Sequence, residues 1–250
     1  MSEKTETIII ALGGNALLNS ESKGTIEECE EATDLTANQL FALLSSEHRI
    51  ILTHGNGPQV GNLLIQNEEA AAKVPPMPLD VCVAETQGEI GFILQKSIKN
   101  VFDNNKFNKS IATILTEVEV LEDDPAFTNF SKPVGPYYTK EQMDKILISK
   151  PFWRFAKDPA GKYFRRIVPS PKPIKILQTK LISNLLNLGY LVIAVGGGGI
   201  PVYYSHSKKE YRGLEAVIDK DLASSRLAID MNADKLIILT NIENCYINYK

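Results

Sequence analysis

Three short runs of apolar, mostly β-branched residues each end in a glycine-rich turn. Thr7–Leu12 runs into Gly13-Gly14-Asn15, Ile50–Thr53 into His54-Gly55-Asn56-Gly57-Pro58-Gln59, and Leu191–Val195 into Gly196-Gly197-Gly198-Gly199-Ile200-Pro201. Continuous apolar runs of this length belong to strands buried on both faces. Two more, Ile111–Thr116 and Leu236–Thr240, fit the same reading. Between them lie stretches of helical period. Thr33–Ser45 carries Leu40, Leu43 and Leu44, and Thr86–Phe102 carries Ile90, Ile93, Leu94, Ile98 and Val101. Ile176–Leu188 carries Leu177, Leu181, Leu185 and Leu188, with Gly189 placed to end the helix. Strands alternating with helices predict an α/β fold: a mostly parallel sheet covered by helices on both faces.

The segment 121–173 breaks this rhythm. It holds eight of the thirteen prolines and one helical stretch, Thr139–Ile148, with a Thr139/Gln142 capping box. It reads as an insertion or small subdomain beside the main sheet.

In open α/β sheets, ligands sit beyond the carboxyl ends of the strands. Glycine lets backbone N–H groups approach an anion there, and a following helix N-terminus favours the negative charge. Three such turns in one chain point to a phosphate or carboxylate site. The common devices for one are absent. A G-x-G-x-x-G fingerprint fails from Gly55, Gly196 and Gly197, whose last positions are Val60, Pro201 and Val202. A P-loop fails at Gly161-Lys162, which is followed by Tyr163.

Asp219-Lys220-Asp221 follows the apolar Ala216-Val217-Ile218 and precedes a helical stretch, Leu222–Met231. A random D-K-D is usually a surface charge run. At a chain turn of this architecture, the lysine can instead neutralise phosphate oxygens while an aspartate holds it or a Mg²⁺ ion. Lys132 sits in a proline-bounded loop, Ser131-Lys132-Pro133-Val134-Gly135-Pro136, where a solvated lysine is an equal reading. Arg165, Arg166 and Lys172 read as solvated or anion-steering. His54 has no serine or aspartate partner at motif spacing, so it reads as a packing residue. Cys82 and Cys245, flanked by apolar residues, read as buried and inert.

Composition narrows the class. With 27 Lys plus Arg against 30 Asp plus Glu, the formal charge is −3, which argues against general affinity for nucleic acid or anionic membrane. No apolar run reaches the ~18 residues of a membrane helix. The N-terminus lacks the apolar core of a signal peptide. Three widely spaced cysteines fit a reducing cytoplasm, and three scattered histidines offer no zinc spacing.

Together the motifs resemble the carbamate kinases, a branch of the amino-acid kinase family. The matching blocks are ALGGNAL (11–17), THGNGPQVG (53–61), QGEIGF (87–92), DPAFTNFSKPVGPYYTKE (124–141), YFRRIVPSPKP (163–173), GGGGIPV (196–202), EAVIDKDLAS (215–224) and LIILTNIENCYIN (236–248). They run in family order over nearly the whole chain. SKPVGP, VPSPKP and AVIDKD are the blocks that separate carbamate kinases from the wider family.

The resemblance implies a three-layer α/β/α sandwich with a mostly parallel central sheet and a small protruding subdomain at about 121–173. It places a carbamate lobe in 1–173 and a nucleotide lobe in 174–250. The implied reaction is reversible phosphoryl transfer between ATP and carbamate, giving ADP and carbamoyl phosphate. Mg²⁺ accompanies the nucleotide, the setting is a cytoplasmic homodimer, and flux in arginine fermentation runs towards ATP. Gly14, Asn15, Gly55 and Asn56 would line the carbamate and phosphoryl site. Lys132 and Lys220 would be catalytic, with Asp221 organising the lysines or Mg²⁺ and Asp219 the second candidate for that part. Gly196, Gly197, Gly198, Gly199, Asp219, Thr240 and Tyr246 would serve the nucleotide. Carbamate already carries an anionic oxygen, so the lack of a general base is expected.

The chain departs from the family pattern at Glu89, where a tyrosine is usual, and at the polar stretch 241–245. Carbamate kinases also continue well past the equivalent of Lys250, with a further phosphate-side lysine. The expectations in competition are a non-catalytic or truncated family member and another small-acid kinase. A nicotinamide oxidoreductase is disfavoured by the failed fingerprints.

Overall fold

The computed structural model describes residues 4–17, 24–158 and 161–240, with only the backbone of Asn15. In chain order the elements are β1 (Thr7–Leu12), α1 (Ile26–Leu44), β2 (Arg49–His54), α2 (Gly57–Ala70), α3 (Leu79–Asn104), β3 (Ile111–Thr113), β4 (Glu117–Glu119), β5 (Lys132–Tyr138) and α4 (Lys140–Ser149). They continue with β6 (Arg154–Lys157), β7 (Phe164–Val168), β8 (Lys175–Ile176), α5 (Thr179–Asn187), β9 (Leu191–Ile193), β10 (Ile200–Ser205), β11 (Glu210–Gly213), α6 (Lys220–Asp230) and β12 (Lys235–Leu239).

The central sheet has the order β12-β1-β2-β9-β3, and every neighbouring pair is parallel. Its side chains alternate between two cores, as the strand period of two requires. Ile8, Ile10 and Leu12 of β1 face Leu44 of α1 and Ile90, Leu94 and Ile98 of α3. Ile9, Ile51 and Val192 face the other way, onto Ile182 and Leu186 of α5 and Ala223 and Leu227 of α6. Helices thus cover both faces, as expected for the three-layer α/β sandwich. Strands from before and after residue 173 interleave in this one sheet, with β9 seated between β2 and β3. Among the described residues no helix is long and apolar enough to cross a membrane.

The insertion folds as a separate antiparallel sheet, β5-β7-β6, with α4 beside it. The Thr139/Gln142 capping box forms as expected. Val134 and Val168 of this sheet pack on Val60 and Leu64 of α2 and on Leu79, Cys82 and Val83 of α3. That apolar contact seats the subdomain over the ends of β1 and β2.

Some expectations change. The face of α5 is set by Ile182 and Leu186, whereas Leu181 and Leu188 are exposed. Gly189 does follow the helix in the left-handed conformation, at φ 84°. Arg166 is buried, stacked 3.8 Å from the centre of the Trp153 ring and 3.5 Å from Glu215, so it braces the subdomain and is not solvated. Arg165 donates to the Gly135 carbonyl, again within the subdomain. Cys82 is buried and burial pushes its thiol up to about 11, which makes it inert at neutral pH. Cys245 and Tyr246 lie outside the described residues.

Candidate active site

A cavity of about 240 Å³ opens at the carboxyl ends of β1 and β2. Its lining includes Gly14, Gly55, Asn56, Lys132, Gly197 and Lys220. Five separate stretches of sequence therefore meet at one point, as strand-end topology predicts.

The first turn divides its two glycines. A Cβ on Gly13 would fall 2.6 Å from the Leu239 carbonyl oxygen of β12, so this glycine permits the strands to close. A Cβ on Gly14 would meet nothing within 4 Å among the described residues. Gly14 faces the cavity, and Asn15 follows in the same single turn of 3-10 helix. Thr240, directly after β12, has its Cα 3.9 Å from that same Gly13 position and so lies beside the turn.

The second turn starts α2. Asn56 is its N-cap residue, yet its side chain makes no cap bond. It is buried, and its Nδ2 donates to Thr86 Oγ1 at 2.9 Å. The first amides of α2 therefore face the cavity without a side-chain cap, where the helix dipole favours an anion. His54 is fully buried and hydrogen-bonded through Nδ1 to the Gly55 carbonyl at 2.9 Å. A carbonyl only accepts, so Nδ1 carries the proton. Burial lowers the imidazole pKa from 6.5 to about 4 against the opposing effect of that hydrogen bond. His54 is a neutral packing residue, as the sequence suggested.

The third turn is buried throughout. Val195 enters it at φ 55°, a left-handed conformation that a β-branched residue rarely adopts. Gln87 of α3 holds this strained turn. Its Nε2 donates to the carbonyls of Gly196 and Thr116, and its Oε1 accepts from the Thr116 amide. Thr116 Oγ1 accepts from the Val195 amide at 3.0 Å. The glycines are required mainly by protein neighbours. Added Cβ atoms would strike His54 Nε2 from Gly196 at 2.5 Å and Asn56 Nδ2 from Gly197 at 2.3 Å. Those on Gly198 and Gly199 would strike the Ile218 carbonyl oxygen at 2.4 Å and Val118 Cγ2 at 2.1 Å. Of the four, only Gly197 lines the cavity.

Asp219 caps α6. Its Oδ1 accepts from the amides of Asp221 and Leu222, and its Oδ2 accepts from Lys132 Nζ at 2.8 Å. Burial opposes ionisation of Asp219, but the Lys132 ammonium and the two amides outweigh it and hold the carboxyl below its usual range. Lys220 opens the helix. Its stem passes Gly55, where an added Cβ would lie 3.4 Å from Cδ, and its Nζ bonds Asp221 Oδ1 at 2.5 Å. Each lysine thus has its own carboxylate: Asp219 for Lys132, Asp221 for Lys220. The resemblance put Asp221 first for organising the lysines and Asp219 second, and the structure divides the part between them.

Gln59 and Gln87 escaped that reading. Both lie within quoted blocks, and Gln87 shares the buried α3 face of Val83, Ile90 and Leu94, where a polar residue signals an internal network. Gln59 lines the cavity, and its buried Oε1 has no hydrogen-bond partner among the described residues.

The family model described as "Amino acid kinase family" matches residues 6–249. The chain belongs to this family. Within it the relatives are carbamate kinases. The carbamate kinase of Lentilactobacillus hilgardii is 44% identical over 243 residues, 97% of this chain and 75% of that protein. Carbamate kinase 2 of Staphylococcus aureus (strain USA300) is 46% identical over 247 residues, 98% of this chain and 77% of that protein. A carbamate kinase from Giardia lamblia bound to AMP-PNP superposes with a TM-score of 0.88 at 40% identity, covering 98% of this chain and 77% of that one. Five of the eight blocks read from the sequence, 11–17, 53–61, 124–141, 196–202 and 215–224, contribute residues to the cavity lining.

Proposed function

We propose that this cavity aligns carbamate with the terminal phosphoryl group of a nucleotide and catalyses ATP + carbamate ⇌ ADP + carbamoyl phosphate. The observation that carries the reading is the pair of lysines. Lys132 arrives from the subdomain and Lys220 from α6, each oriented by its own carboxylate, and both line one small cavity with the Gly14 and Gly55–Asn56 turns.

Towards ATP, a terminal oxygen of ADP attacks phosphorus and the bond to the carbamate oxygen breaks. Carbamate leaves as an anion, so no proton has to move. A neutral, buried His54 fits this chemistry. What the step requires is alignment and neutralisation of charge on the transferring oxygens. The lysines supply the charge, the α2 N-terminus and the Gly14 turn supply fixed dipoles, and Val134, Val217 and Ile218 form apolar walls that strengthen both.

The residues also fit Mg²⁺ carried by the nucleotide. Among the described residues no group of three or more His, Cys, Asp or Glu could cage a metal. Mg²⁺ in phosphoryl-transfer sites uses one or two carboxylates plus substrate phosphates. Asp221, whose side chain is half exposed, is the residue that would hold it, since both Asp219 oxygens are engaged. The ion would supply neutralisation of phosphate charge. The direction towards ATP in arginine breakdown, the homodimer and the cytoplasmic setting rest on the resemblance to carbamate kinases.

The test is a coupled assay of ATP formed from ADP and carbamoyl phosphate, with and without Mg²⁺. Mg²⁺-dependent ATP formation is expected. No signal here, alongside turnover of acetylglutamate or aspartate with ATP, would move the chain to another branch of the family.

A further inference from the structure

Two buried hydroxyls outside the cavity lining join its halves. Thr53, the residue before His54 on β2, and Ser224, one turn after Lys220 in α6, have no measurable exposure. Their side-chain oxygens lie 2.7 Å apart. Ser224 Oγ donates to the Lys220 carbonyl at 2.7 Å, which commits its only proton. Thr53 Oγ1 is therefore the donor to Ser224 Oγ. The chain of bonds runs from the strand that carries Gly55 and Asn56, through two hydroxyls, to the backbone of Lys220. On the other side of the same junction, the Lys220 stem rests against Gly55.

We propose that Thr53 and Ser224 form a positioning latch, which sets the register of Lys220 against the Gly55–Asn56 turn. This rests on the reading of Lys220 as the lysine that stabilises the transferring phosphoryl group. Neither hydroxyl touches substrate in that scheme. The latch acts on where Nζ sits. A long lysine side chain has many rotamers, and a small shift of its helix start moves the ammonium relative to a ligand held on β2. Phosphoryl transfer without a base depends almost wholly on such placement.

Ser224→Ala and Thr53→Val should each lower kcat by about 10-fold or more, in line with the cost of small misplacements, while the KM for nucleotide changes less than about threefold. Thr53→Ser, which keeps the hydroxyl, should restore most of the rate. The double variant should be no worse than the poorer single one. A control pair exists: Thr33 and Ser97 form a similar buried hydroxyl contact at 3.0 Å between α1 and α3, and neither lines the cavity. Thr33→Val should lower the melting temperature without changing kcat.

The deciding measurement places Ser224→Ala in a Lys220→Met background, where the latch has nothing left to position. There it should change residual kcat less than about twofold. An equal loss in both backgrounds, or a loss matched by Thr33→Val, would overturn the latch. If Lys220→Met itself has no effect, the reading of Lys220 fails. If Lys220→Met is damaging and Ser224→Ala is neutral, only the latch fails.

Discussion

The burial of His54 makes the protein sensitive to mild acid in a way that can be calculated. Unfolded, the imidazole takes up a proton near 6.5; in the native state it resists until about 4. Between these values the unfolded chain binds more protons than the native one, so stability falls as pH falls through this window. For one group with those two pKa values, the loss is about 2 kcal/mol between pH 7 and pH 5 and approaches roughly 3 kcal/mol below pH 4. Against a total of ~5–15 kcal/mol, one side chain would account for a sizeable share.

The assay is denaturant unfolding at pH 7, 6 and 5, in the native sequence and in His54→Asn. The asparagine amide can replace the Nδ1–H that bonds the Gly55 carbonyl, but it does not titrate. Every other group titrates alike in both proteins and cancels in the difference. The stability gap between native and variant should shift by about 2 kcal/mol, in the variant's favour, from pH 7 to pH 5. Parallel curves would mean that His54 protonates in the native state at its ordinary pH, and the account of a sealed, neutral imidazole against Gly196 would be wrong.

Lys220→Met should lower kcat by about 100-fold or more with a smaller effect on nucleotide KM, as expected for a charge used in the transition state; steady-state kinetics checks this, and a change under twofold would return Lys220 to the solvent. Gly198→Ala should cost at least about 2 kcal/mol, because φ 87° and an Ile218 carbonyl 2.4 Å from the new Cβ both oppose it, whereas Gly14→Ala should stay within about 0.5 kcal/mol in the same melts while weakening ligand binding.

Much of the central sheet was legible because strands buried on both faces must be apolar throughout. β1, β2, β9 and β12 fall on the expected runs, and the Thr139 cap and Gly189 stop are local chemistry that no tertiary contact overrides. The misses have physical causes. The four-stranded sheet β11-β10-β4-β8 is built from Glu117–Glu119, a two-residue β8 and the exposed Glu210–Gly213, segments with too little pattern to declare a strand before a partner pairs with them. α2 begins Gly57-Pro58-Gln59, a turn-like composition that hides a helix start. α1 begins at Ile26, seven residues ahead of the expected start, behind a Thr25/Glu28 capping box that was readable but unused. Lys132 and Asp219 are 87 residues apart, and no local pattern announces their bond.

The glycine turns show how a correct motif can carry an incomplete reason. In the sequence, Gly196–Gly199 looks like backbone bared for phosphate. In the fold, each of the four Cα atoms abuts a protein atom, and a Cβ at any of them would fall 2.1–2.5 Å from it. The partners are not incidental: His54 and Asn56 belong to the second turn, Ile218 immediately precedes Asp219, and Val118 belongs to the second sheet. Missing side chains at 196–199 let the second and third strand-end turns, β4 and the start of α6 close onto one another. Gln87 then fixes the strained entry at Val195 from the α3 side. Preorganisation follows from this packing. On the proposed reading, a site that neutralises phosphate with Lys132, Lys220 and helix-end dipoles gains most when those groups cannot drift, and dense glycine contacts between the turns resist such drift. Gly14 and Gly57, which line the cavity and meet no such neighbour among the described residues, are then the glycines whose openness is left for a ligand.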